Sequence, residues 1–174
     1  MSHTVTRLPN GKWKQNCYIV SDVAMGHALL IDPGSDAEMI QQELSRQAVQ
    51  PVAIMNTHGH YDHIGAVVEL MTHYKIPFYL NPADVKLMQQ ANLYKFLFDN
   101  KANVVIPKEI QALSPHQTEL KICDFKVLLH FTPGHTQGST CFQIGVNLFS
   151  GDTLLPNGLG RTDLPGGDKV ALSQ

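Results

Sequence analysis

The chain has 174 residues, 43% of them hydrophobic and 16% charged, with a formal net charge of −2. That is the balance of an ordinary globular protein with enough length for one sizeable core, and it gives no basic surface to suggest a nucleic-acid partner. No apolar run reaches membrane-spanning length, and the opening stretch MSHTVTRLPNGKWKQN is polar, without the apolar core of a secretory signal. Cys17, Cys123 and Cys141 are odd in number and far apart, so reduced thiols are expected rather than a disulfide framework, with the cytoplasm as the default setting.

Taken in chain order, CYIVSD and HALLIDPG read as two strands joined by a turn at 24–26. The second stops at Asp32-Pro33-Gly34, where proline and glycine break regular pairing. Ser35 and Glu38 have capping-box spacing, and Ala37, Ile40, Leu44 and Ala48 supply the apolar face of the helix that should follow. PVAIMNTH is nearly all apolar, as expected of a strand covered on both faces. Its end delivers NTHGHYDHIG at 56–65, which crowds His58, His60, Asp62 and His63 together just before Ile64, Val67, Val68 and Met71 repeat at helical spacing. Imidazoles and carboxylates are the nitrogen and oxygen ligands that zinc and similar ions take, so a metal site on a strand-to-helix loop is expected here.

IPFYL is a further strand, and Asn81-Pro82 should open the next helix. The stretch 93–107 carries no clear period; Tyr94, Phe96 and Phe98 alternate in it and are expected to pack in core or loop rather than line a groove. FKVLLHFT, TCFQIG and NLFS are strand-like, which puts His130 inside a strand as a hydrogen-bonded residue. His3, His27, His73 and His116 have no cluster partners. Two more strand ends then carry polar groups: His135 follows Pro133-Gly134, and Asp152 follows LFSG. Each alone is either a hydrogen-bonding turn residue or a ligand, but together three strand ends could meet at one edge of a layered α/β fold.

The motifs THGHYDH at 57–63, PGHT at 133–136 and SGD at 150–152 resemble those of the metallo-β-lactamase superfamily. The run GDTLLPNGLGRTDLPGGD at 151–168 is similar to the glyoxalase II (hydroxyacylglutathione hydrolase) branch, its short bacterial members above all. The resemblance implies an αββα sandwich, a single domain over 1–174, with a two-metal centre at one sheet edge. It implies that His58, His60 and His135 bind one ion, that Asp62 and His63 bind the other, and that Asp152 bridges them. It also implies that His63 disfavours a true zinc β-lactamase, and that Arg161 and Asp163 pair to hold the Asp152 loop. The branch has one more metal-binding histidine further on, and no histidine follows Asp152 here, so the chain is expected to lack a C-terminal element.

The expected reaction is hydrolysis of a glutathione thioester such as S-lactoylglutathione by metal-activated hydroxide, with Asp62 both ligand and proton acceptor. Two divalent ions are required, zinc first, with iron or manganese served by the same donors. The alternatives are a mononuclear iron persulfide dioxygenase using His58, His135 and Asp152, and a degraded relative that binds metal without turnover. Small-molecule substrates are the expected partners, with no nucleic acid or membrane involved. The sequence assigns no oligomeric state.

Overall fold

Antiparallel pairing starts the first sheet and parallel pairing completes it. In the computed structural model, which describes residues 3–99 and 103–174, β1 (Thr4–Asn10) pairs with β2 (Gln15–Asp22), and β2 with β3 (His27–Ile31), both antiparallel. The sheet continues in parallel through β4 (Gln50–Met55), β5 (Phe78–Leu80) and β6 (Gln111–Ala112). Parallel neighbours need crossovers. Helix α1 (Ala37–Gln47) joins β3 to β4, and α2 (Tyr61–Ile64) and α3 (Val67–Tyr74) join β4 to β5. A 3₁₀ turn at Pro82–Asp84, capped by the Asn81 side chain, leads into α4 (Val85–Gln89) and α5 (Ala91–Phe98).

The second sheet is antiparallel: β7 (Glu119–Ile122), β8 (Phe125–Phe131), β9 (Thr140–Ile144) and β10 (Asn147–Phe149). A small ribbon of β11 (Leu154–Leu155) and β12 (Gly158–Leu159) and the short α6 (Lys169–Leu172) follow. Alternate residues of one strand serve two cores. Leu30 and Ile54 face the helices, whereas Leu29, Ile31, Ala53 and Met55 pack on Phe125, Val127, Leu129 and Phe142 of the second sheet. That is why HALLI and PVAIM read as continuous apolar runs. On the outer face of β8, Lys126 and His130 are exposed, with His130 bonded to Gln143. No helix of the described residues is long and apolar enough to cross a membrane.

One local expectation is corrected, and two stretches without an assigned element acquire one. Ser35 and Glu38 form no capping box: α1 begins after Asp36, which sits in the left-handed region at φ 56° and makes no side-chain cap bond. The Asp36 carboxylate instead accepts from Gly11 N at 3.1 Å, while Glu38 accepts from Gln42 within the helix. The polar opening stretch forms β1, an edge strand whose pairing with β2 compensates for its weak apolar pattern. The first part of the unassigned stretch, 93–98, belongs to helix α5, so Tyr94 and Phe98, four residues apart, share a face while Phe96 stands 68% exposed on another. Residues 100–102 of that stretch lie outside the described residues.

Candidate metal centre

Three loops at neighbouring strand ends build the site. β4 delivers His58 and His60 on an extended segment and then Asp62 and His63 on the single turn of α2. β8 leads into the turn that holds His135, and β10 into the turn that holds Asp152. His58, His60, His63 and His135 are all buried. The His58 ring centroid lies 4.8 Å from that of His60 and of His135, and 4.1 Å from that of His63. His60 Nδ1 and His135 Nε2 approach to 3.0 Å. Asp152 turns one carboxylate oxygen toward each side of the cluster, 3.6 Å from His63 Nε2 and 3.6 Å from His135 Nε2. Asp62 stands at the rim, 3.9 Å from His63 Nε2. All six sequence-proposed residues therefore converge on one place.

The imidazoles are oriented from behind. Asp32, buried at the end of β3, accepts from Thr57 N and Thr57 Oγ1, both at 2.7 Å, and Thr57 Oγ1 in turn contacts His58 Nδ1 at 3.0 Å. Asp32 also comes within 3.2 Å of His63 Nδ1, out of line for a hydrogen bond. His135 Nδ1 donates to the carbonyl of Arg161 at 2.8 Å. That carbonyl explains the GRTD run better than its ion pair does. Arg161 and Asp163 form the expected pair at 2.7–2.8 Å, with both side chains exposed. Asp32 was missed because a single acid before Pro-Gly reads as a turn residue; its place at a strand end, like those of the other site residues, was the available signal.

Electrostatics divide the histidines. Burial, reinforced by the neighbouring imidazoles, holds His58 well below the usual histidine range. The same causes bring His60 down to about 3. Burial also acts on His63, but the Asp32, Asp62 and Asp152 carboxylates outweigh it and push that imidazole up to about 10. Asp62 is raised, by burial first and then by Asp152, against the pull of His63. His58 Nε2 and His63 Nε2 are buried without a hydrogen-bond partner. A buried polar nitrogen without a partner costs free energy unless something satisfies it. The residues present fit divalent cations: ligand atoms of His58, His60 and His135, and separately those of His58, His63 and Asp152, lie within 4.8 Å of one another.

The cluster opens into a pocket. His60, Asp62, His135 and Asp152 are the cluster residues at its floor, and its walls take the aromatic Trp13, Tyr61, Tyr94 and Phe98 together with Arg161, Leu164 and Pro165. Trp13 Nε1 donates to Tyr61 OH at 2.8 Å, tying the β1–β2 turn to α2. Tyr94 packs against the core as expected and also lines the groove, whereas Phe98 is exposed and lines it contrary to the packing expected; helical rather than strand-like spacing puts the two on one face.

The sequence model of the metallo-beta-lactamase superfamily matches residues 10–173. The chain is 34% identical over 174 residues to the probable metallo-hydrolase YqgX of Bacillus subtilis (strain 168), covering 95% of this chain and 78% of that one. BLEG-1 B3 metallo-beta-lactamase superposes with a TM-score of 0.89 at 33% identity, covering 97% of this chain and 81% of that one. TTHA1623, crystallised in a di-iron-bound form, superposes with a TM-score of 0.79 at 34% identity, covering 97% and 82%. Fold, motif positions and convergent donors agree, and the chain belongs to the metallo-beta-lactamase superfamily.

Proposed function

We propose that this chain is a metal-dependent hydrolase that cleaves a thioester, with a glutathione thioester such as S-lactoylglutathione as the first candidate substrate. One observation carries the reading: two groups of unpaired or facing donor atoms share the buried His58, and His60, His135 and Asp152 of those groups line an open, aromatic-walled pocket. His58, His60 and His135 would hold one ion, and His63 and Asp62 the second, with Asp152 between them. The two-sided approach of the Asp152 carboxylate, 3.6 Å from His63 and from His135, supports its bridging role. Zinc suits these donors, and the di-iron-bound TTHA1623 keeps iron in view. When bound, such ions lower the pKa of water to about 7 and polarise a carbonyl oxygen.

The chain's own residues do the rest. Asp62, raised by burial and by Asp152, is placed to accept a proton from water at the pocket floor. His135 is held in one tautomer by the Arg161 carbonyl, which fixes the direction of its free nitrogen. The aromatic wall excludes water from one side of the bound acyl group and orients it over the floor. A thiolate leaves readily, so the mechanism asks for no strong acid. The three free cysteines, two of them buried, fit a cytoplasmic setting.

The test is thiol release from S-lactoylglutathione by zinc- and iron-loaded protein under anaerobic conditions, with β-lactams and lactones in parallel. The expected result is metal-dependent thioester turnover that a chelator abolishes and added metal restores. Metal-loaded protein inert toward every thioester would refute the proposal, and turnover of β-lactams alone would reassign the substrate. The dioxygenase alternative was expected to use His58, His135 and Asp152; the two-histidine, one-carboxylate group the structure brings together is instead His58, His63 and Asp152, a donor set of the kind non-haem iron oxygenases use. Oxygen uptake with glutathione persulfide would favour it.

A further inference from the structure

Asp84 belongs to neither donor group, yet it is buried at 1% exposure directly behind both histidine loops. It ends the 3₁₀ turn after β5. Its Oδ2 accepts from Gly59 N at 2.9 Å, and Gly59 is the residue between His58 and His60. The same oxygen accepts from Thr136 Oγ1 at 2.7 Å, and Oδ1 accepts from Gly138 N at 2.7 Å. Thr136 and Gly138 follow His135. One carboxylate thus receives three hydrogen bonds from two loops that are otherwise far apart in sequence.

Both glycines are required for this approach. A Cβ on Gly138 would come within 2.6 Å of Asp84 Cγ, and one on Gly59 within 2.9 Å of the Asp84 carbonyl oxygen. Backbone amides reach the carboxylate only because those positions lack side chains. Thr136 is further fixed by Ser139 Oγ, which accepts from Thr136 N at 3.0 Å. A buried charge is costly, and three donors, two of them backbone amides, are the compensation it needs. A side chain needed only for the 3₁₀ turn would not have to satisfy donors on both metal-facing loops.

We propose that Asp84 is a positioning residue that locks the His58–His60 loop to the His135 loop and so sets the spacing of the donors for the first ion. The inference rests on reading His58, His60 and His135 as ligands of one ion. It predicts a specific lesion. In Asp84→Asn an amide N–H faces at least one of the three donors whichever way the group is turned, so the loops separate or shift. Outer groups that orient ligands typically alter metal affinity by about 10- to 100-fold when removed.

The experiment titrates chelator-treated wild type and Asp84→Asn with cobalt(II), followed by visible absorption, and with zinc in competition with a chromophoric chelator. The expected result is one ion weakened about 10- to 100-fold with an altered cobalt spectrum, while the affinity for the ion held by His63 and Asp62 is little changed. Phe125→Leu, in the core between the sheets, should lower the melting temperature without moving either affinity. An Asp84→Asn protein with wild-type affinities and spectrum but a lower melting temperature would overturn the inference. Should that variant not fold, Thr136→Val and Thr136→Ser carry the test: the valine variant should weaken the same ion and the serine variant, which keeps the hydroxyl, should restore it. Equal affinities in those two variants would also overturn it. Wild-type protein that takes up no ion would instead strike the ligand assignment itself.

Discussion

Replacing Asp32 by asparagine should destabilise the metal-free protein by about 4 kcal/mol at pH 6. Two contributions set the size. Asp32 accepts two 2.7 Å bonds from Thr57, and asparagine presents an N–H to one of those donors; losing a bond to a charged acceptor costs about 1.5–3 kcal/mol. The second concerns His63, where burial is outweighed by three carboxylates that push the imidazole from 6.5 up to about 10. That displacement, net of the opposing burial, corresponds to about 5 kcal/mol, and among the carboxylates that produce it Asp32, the nearest at 3.2 Å, takes the largest part. The sign is definite. A folded-state pKa above the unfolded value stabilises fully below about 6.5, and that stability drains away as pH rises toward about 10. Urea denaturation of chelator-treated wild type and Asp32→Asn, repeated from pH 6 to pH 10, measures both parts. The deficit should be largest at pH 6 and shrink toward pH 10 to the Thr57 part, about 2 kcal/mol. A deficit below about 1 kcal/mol, or one that does not vary with pH, would refute the account of how His63 is held.

Acid should act on the metal-free protein through the other histidines. Burial keeps His58 and His60 neutral in the fold, so the unfolded chain alone takes up their protons below about pH 6.5, and stability should fall there by up to about 2.7 kcal/mol per pH unit. The upward-shifted Asp62 and Asp84 oppose this only nearer the carboxylate range, and urea midpoints that stay flat between pH 6.5 and 5 would contradict the prediction. Trp13 is the single tryptophan and lines the pocket, so a bound thioester analogue should change its fluorescence, and Trp13→Ala should raise KM with kcat little altered. Titrations without any emission change would place the ligand elsewhere. Phe142→Ala, which empties a fully buried site between the sheets, should cost about 3–5 kcal/mol in urea denaturation while leaving metal stoichiometry intact.

What could be read ahead of the structure was whatever stands contiguous in the chain. THGHYDH announces chemistry because four donors lie side by side, and PVAIM announces a strand because both its faces are covered. His135 and Asp152 became legible through the family resemblance and their places at strand ends. Asp32 and Asp84 were not legible as site residues. Each is a lone acid in a turn, and its importance arises from backbone amides and hydroxyls that only the folded chain brings to it. Ser35 and Glu38 had the letters of a cap, but Asp36 was recruited by Gly11 and the start of α1 moved accordingly. The α5 aromatics were read only in part: Tyr94 packs on the core as expected, but every second residue is aromatic while the pocket takes every fourth, so Phe98 was missed as a lining residue.

The gathering of donors from distant turns has a consequence for how the chain holds together. His60 and His135 touch across 75 positions of sequence, and Asp152 comes from still further along. An ion seated among them would act as a clasp between the first sheet and the second, restricting the unfolded chain as a crosslink does, with a benefit that grows with the length of the loop it closes. Metal supply would then govern not only turnover but how long each copy survives proteolysis, since the same cation fastens the two halves of the sandwich.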